Sequence, residues 1–134
     1  MSKWIGVDLD GTLAEYHWRM GKTIGEPIPS MLEMVKAMLS SGIDVRIFTA
    51  RATDTNQLPA IKSWLNRHGL GACSITNIKD FDCHLIIDDR AVRAIWNEGE
   101  HCHGCKAEAI RRMNQLGIKG WPNTHKTGGG VFVI

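Results

Sequence analysis

Two acids, Asp8 and Asp10, stand one residue apart in VDLDGTLAEY, residues 7–16, directly after the apolar run Ile5-Gly6-Val7. A second acidic pair, Asp88 and Asp89, ends HLIIDD, residues 84–89. Carboxylates crowded this closely do not all ionise cheaply, so either one is protonated or a cation sits among them. A hard divalent cation, Mg²⁺ above all, is the natural partner for several carboxylate oxygens. Mg²⁺ held by a few carboxylates keeps coordination positions for water and phosphate, which points to phosphate chemistry.

The acids need elements that bring them together. Residues 3–8 read as a strand. IDVRIFTA, residues 43–50, reads as a second, ACSIT (72–76) as a short third, HLIIDD (84–89) as a fourth and AVRAIW (91–96) as a fifth. A helix follows Pro29, with Ser30 and Glu33 spaced as a capping box and Leu32, Val35, Met38 and Leu39 as an apolar stripe. A second helix is expected from Gln57 to His68, with Pro59 in its first turn and Ile61, Trp64 and Leu65 inward. Alternation of strand and helix predicts an α/β doubly wound, mostly parallel sheet in a three-layer Rossmann-like arrangement. Right-handed crossovers then gather Asp8, Asp10, Thr49, Asp88 and Asp89 at the carboxyl edge, where open α/β sheets bind ligands.

The 134 residues suit one domain with a real core, and the composition, 43% hydrophobic and 22% charged, is that of a globular protein. A net charge of +2 with scattered Lys and Arg is no nucleic-acid signature. No segment reads as a membrane span or a secretory leader, so a cytoplasmic location with reduced cysteines is expected.

DLDGT at the first strand, FTAR after the second, the lysine of NIKD and LIIDD at the fourth resemble, in order, the four motifs of the haloacid dehalogenase superfamily. The resemblance covers residues 4–96 and implies an Mg²⁺-dependent phosphomonoester hydrolase acting through an aspartyl-phosphate. It implies Asp8 as nucleophile, and Asp10 as the acid that protonates the leaving oxygen and then deprotonates water. Thr49 would bond a phosphoryl oxygen and Lys79 would offset transition-state charge. Mg²⁺ would be held by the Asp8 side chain, the Asp10 carbonyl and the fourth motif, with Asp89 favoured as direct ligand and Asp88 acting through water. Ala50, Arg51 and Arg90 adjoin motif residues and are, with Thr49, the substrate-binding candidates. Both intermotif gaps are too short for a cap domain, so an open site is expected unless the tail or a second copy in a homo-oligomer roofs it.

FTARATDTNQLPAIKSWLNRHGL also resembles the core of 5'(3')-deoxyribonucleotidases, which favours a nucleotide or nucleic-acid-end phosphate as substrate. A small sugar phosphate, or a non-catalytic binding module, are the alternatives. Tyr16, His17 and Trp18 follow the first motif as a flap or a surface hairpin.

Residues 1–98 are thus read as the catalytic core and 99–134 as an extension: a Cys/His turn, a helix marked by Ala107, Ile110, Met113 and Leu116, the run Gly128–Gly130 and a final apolar strand. Cys102 and Cys105, with His101 and His103 and completed by His125 or His84, offer ligands for a structural Zn²⁺. A redox pair and plain turn residues are the other readings.

Overall fold

The computed structural model describes residues 3–118 and divides the chain into two compact units, Met1–Asp89 and Arg90–Ile134. The first unit is built on four strands, β1 (Trp4–Val7), β2 (Asp44–Phe48), β3 (Ser74–Thr76) and β4 (Cys83–Ile87), all parallel and ordered β3-β2-β1-β4. Helices α1 (Pro29–Ser40) and α2 (Leu58–Arg67) make the β1–β2 and β2–β3 crossovers. The α/β class and the parallel sheet are those expected of a small Rossmann-like domain.

Alternation within the strands sorts the sheet into two faces. Val7, Val45 and Ile47 join Val35 of α1 and Ile61, Trp64 and Leu65 of α2 in one core, all nearly solvent-free. Each such side chain contributes about 1.5–3 kcal/mol by leaving water. The other face carries Trp4, Gly6 and Phe48. A Cβ on Gly6 would stand 3.0 Å from the Trp4 ring and 3.2 Å from Phe48, so only glycine lets the indole lie across β1. Arg46 stacks 4.7 Å from the centre of that ring.

Residues 77–82 carry the chain from β3 at one edge to β4 at the other without a helix. Asp80 in this crossing accepts a 2.8 Å hydrogen bond from the Trp4 indole. The Trp4 bond and the Arg46 guanidinium hold the Asp80 carboxyl below its usual range.

Several elements differ from the sequence reading. Ser30 and Glu33 form no capping box: Pro29 already occupies the first helical turn, and Ile28 precedes it with no side-chain cap. Residues 91–96 form no fifth strand; only Ala94 pairs, in an isolated bridge with His101. In the second unit, α3 spans Lys106–Gln115; Ala109 is buried and Lys106, Ile110, Arg112 and Met113 are partly buried, whereas Ala107 and Leu116 are exposed. The Gly128–Gly130 run, His125 and the final apolar segment lie outside the described residues.

No inserted domain stands between Gly11 and Phe48, which hold one short turn, Trp18–Met20, and α1. Ala52–Ile78 holds short turns, α2 and β3. Among the described residues, no helix is long and apolar enough to cross a membrane.

Candidate active site

The chain leaves β1 toward β2 on one side, whereas β4 lies on the other. The crevice between the carboxyl ends of β1 and β4 is therefore a topological switch point, the place where open α/β sheets bind ligands. Asp8 follows β1 directly and Asp88 follows β4 directly. The ladder closes between them, because the Asp8 amide donates to the Ile87 carbonyl at 2.9 Å. Asp8, Asp88 and Asp89 consequently bring carboxylate oxygens within 4.8 Å of one another.

Thr12 and Gly11, which the sequence reading passed over, complete this cluster. β1 ends at Val7, and the chain turns back on itself through amides of Thr12, Leu13 and Ala14 that all donate to the Leu9 carbonyl. The turn aims the buried Thr12 hydroxyl at Asp8 Oδ2 (3.1 Å) and Asp89 Oδ1 (3.0 Å), and the Asp89 amide donates back to it at 3.0 Å. One hydroxyl has one proton, so Thr12 serves one carboxylate at a time. Gly11 has a φ of +88°, and a Cβ there would stand 3.0 Å from Asp89 Oδ2. Threonine four residues after the first acid was the available signal.

Burial, the hydrogen bond with Asp89 and the negative charge of Asp88 push the Asp8 carboxyl up to about 7. Three acids at this separation favour either a proton or a cation. Their all-oxygen donor set, partly exposed, fits a hard divalent ion such as Mg²⁺. Asp8 and Asp89 would supply side-chain oxygens, with Asp88 beside them.

Asp10, two residues away, is partnered quite differently. Its carboxylate receives a two-pronged bond from Arg51, Nε to Oδ2 at 2.7 Å and Nη2 to Oδ1 at 2.8 Å. Because β1 stops before Asp8, strand alternation does not set the directions of the two acids.

Arg51, 9% exposed at its side chain, donates also to the carbonyls of Lys22 and Thr23 and to Gln57 Oε1. A guanidinium has five N–H groups, and all five are engaged here. The sequence reading made Arg51 a substrate contact; the structure gives it to Asp10 and to the segment after the first motif. That segment folds back through the Ala14–Pro27 bridge and the Glu15–Glu26 hydrogen bond. Trp18 stands 77% exposed in the loop thus closed, and Tyr16 is 41% exposed.

Thr49, 2% exposed, ends β2; its amide donates to Thr76 and its hydroxyl accepts the Arg51 amide at 3.1 Å. The hydroxyl keeps its own proton for another acceptor. Ala50 is exposed immediately after it. Lys79 is exposed three residues beyond β3, and among the described residues no hydrogen bond or ion pair joins it to the acids. Arg90 opens the second unit.

In the second unit, the Cys102 and Cys105 sulfurs lie 3.6 Å apart. His103 lies in the turn between them, and His101 bridges to Ala94. Among the described residues, no other Cys, His, Asp or Glu adds a third ligand atom to the sulfur pair.

Sheet and crevice together define an open, all-parallel α/β domain with an acidic site at its switch point. The sequence matches no protein-family model, and no curated protein matches it. A conserved protein of Bacteroides thetaiotaomicron shares the fold: its solved structure superposes with a TM-score of 0.55 at 22% identity, over 89% of this chain and 94% of that one.

Proposed function

We propose that this chain is an Mg²⁺-dependent phosphomonoester hydrolase of the haloacid dehalogenase type. The observation that carries the reading is the convergence of Asp8, Asp88 and Asp89 at the switch point, with Thr12 bonded to two of them. In the order of its motifs the sequence resembles that superfamily.

Bound Mg²⁺, held by Asp8 and Asp89 with Asp88 beside them, would supply positive charge against the acid cluster and the phosphate oxygens. The Asp8 carboxylate offers an oxygen lone pair to attack phosphorus. The P–O bond to the leaving alcohol breaks, Asp10 provides that oxygen's proton, and phosphate stays on Asp8 as a mixed anhydride. Asp10 next takes a proton from water; the hydroxyl oxygen bonds to phosphorus, and Asp8 is released as carboxylate. The Thr49 hydroxyl, in this reading, donates its proton to a phosphoryl oxygen. Arg51 orients Asp10 from behind, so reaching the leaving oxygen requires a lone pair that the guanidinium does not use. Lys79, exposed in the helix-free crossing after β3, is the lysine that the motif order assigns to offset transition-state charge.

The substrate class we favour is a nucleotide or a nucleic-acid end carrying a terminal phosphate. The short intermotif segments, which hold no inserted domain, support an exposed substrate phosphate. The exposed Trp18 offers a ring on which a base stacks.

Hydrolysis of an aryl phosphate, with Mg²⁺ and with excess EDTA, tests the reading. Mg²⁺-dependent turnover that disappears in Asp8→Asn is expected. Turnover that persists unchanged in EDTA would refute it.

A further inference from the structure

We propose that Cys102 and Cys105 form a dithiol site that exchanges with low-molecular-weight disulfides such as oxidised glutathione, closing reversibly to an intramolecular disulfide. The inference is independent of the phosphatase reading.

Geometry is the first support. The two sulfurs are already in contact at 3.6 Å, and a disulfide bond is about 2.05 Å long. The remaining approach of about 1.5 Å is within reach of side-chain rotation about two Cα–Cβ bonds. The turn that sets this distance is local. The Cys105 amide donates to the Cys102 carbonyl at 3.0 Å, and α3 begins at the next residue. Both thiols are partly exposed, so a small disulfide can reach them.

Chemistry distinguishes this pair from the other two cysteines. The Cys105 thiol, the amides of Cys105 and Gly104 and the Arg93 charge hold the Cys102 thiol below its ordinary range. Thiolate is the attacking species in exchange. Cys73, in contrast, is buried, and burial pushes its thiol up to about 11. The Cys83 thiol donates to the Leu85 carbonyl at 3.7 Å. A structural Zn²⁺ needs four ligands, and among the described residues the pair has no third.

The step balances. Cys102 thiolate attacks one sulfur of glutathione disulfide, forming a mixed disulfide and expelling one glutathione thiolate. Cys105, giving its proton to that thiolate or to solvent, attacks the Cys102 sulfur and expels the second. The protein dithiol is oxidised by two electrons, and one glutathione disulfide is reduced to two glutathione molecules.

The test uses the full chain, reduced and then equilibrated with oxidised glutathione in the presence of EDTA, with cysteine peptides mapped by non-reducing mass spectrometry. A Cys102–Cys105 disulfide reversed by dithiothreitol is expected, with Cys73 still reduced. Cys105→Ser should accumulate a glutathione adduct at Cys102, and neither single variant should form the intramolecular disulfide. Failure of the pair to oxidise would overturn the proposal, as would a Cys105→Ser chain that forms no adduct at Cys102. Metal analysis of the untreated protein closes the remaining route. One tightly held Zn²⁺ per chain that is lost in Cys102→Ser and blocks exchange would also overturn it.

Discussion

The acid cluster and the cysteine pair are assembled in opposite ways. Asp8 and Asp89 lie far apart in sequence and meet only because β1 and β4 are neighbours, with the Asp8 amide bonded to Ile87. Cys102 and Cys105 meet within one turn, three residues apart in sequence. Environment follows assembly. Packing and like charge raise the Asp8 carboxyl, whereas nearby donors at a half-exposed turn lower the Cys102 thiol. A site built across a sheet inherits the rigidity of the sheet, and breaking it requires changing either a reacting atom or the backbone that frames it. A site built on a turn is tuned by its own amides.

The largest effect is expected at Asp8. Asp8→Asn should abolish Mg²⁺-dependent aryl phosphate turnover while leaving the circular dichroism spectrum unchanged, because the substitution is nearly isosteric. Asp10→Asn should lower kcat by about 10²–10⁴, the usual scale of general acid–base catalysis. Removing its anchor by Arg51→Met should lower kcat in the same direction but by less, and Arg51→Lys should recover part of the loss. Equal activity in wild type and Arg51→Met would show that the pairing with Asp10 positions nothing.

Smaller effects are expected at the backbone that frames the acids. Gly11→Ala puts a Cβ against Asp89 at a positive φ, which should cost roughly 1–3 kcal/mol of stability by denaturant titration. It should also weaken divalent-cation binding. Gly42→Ala has a positive φ of +80° and open space around it, so it controls for backbone strain alone.

The smallest signal is the pH dependence of stability. The Asp8 carboxyl is raised from 3.8 to about 7 in the folded chain. Between those values the folded chain holds a proton that the unfolded chain has released, so this group's contribution to stability falls as pH rises. In EDTA, melting temperatures should therefore fall from about pH 4 to about pH 7 more steeply for wild type than for Asp8→Asn. Saturating Mg²⁺ should flatten the difference. Equal slopes in EDTA would remove the acid crowding at Asp8.

The sequence carried the site unevenly, for physical reasons. The strands leading into Asp8, Thr49 and Asp88 were legible because buried parallel strands are short apolar runs. Their parallel register then aligned the ends without further information. The inward face of α2 was legible from the spacing of Ile61, Trp64 and Leu65, all buried. Side-chain partnership was not legible. Asp8 and Asp10 share a motif, yet one joins Asp88 and Asp89 and the other joins Arg51, a choice made by the turn from Leu9 to Ala14. Likewise, Ser30 and Glu33 have capping-box spacing, but α1 begins at Pro29 with Ile28 as its N-cap, two residues ahead of that frame. AVRAIW has strand-like composition but only one bridging residue, Ala94.

Direct titration of a divalent cation gives the most immediate test of the acid cluster. Mn²⁺, followed by electron paramagnetic resonance and displaced by Mg²⁺, should bind one ion per chain. Binding should be lost in an Asp8→Asn/Asp89→Asn double variant and kept in Cys102→Ser. Saturable binding that survives the double variant, or none in the wild type, would contradict the assignment of Asp8, Asp88 and Asp89 as a cation site.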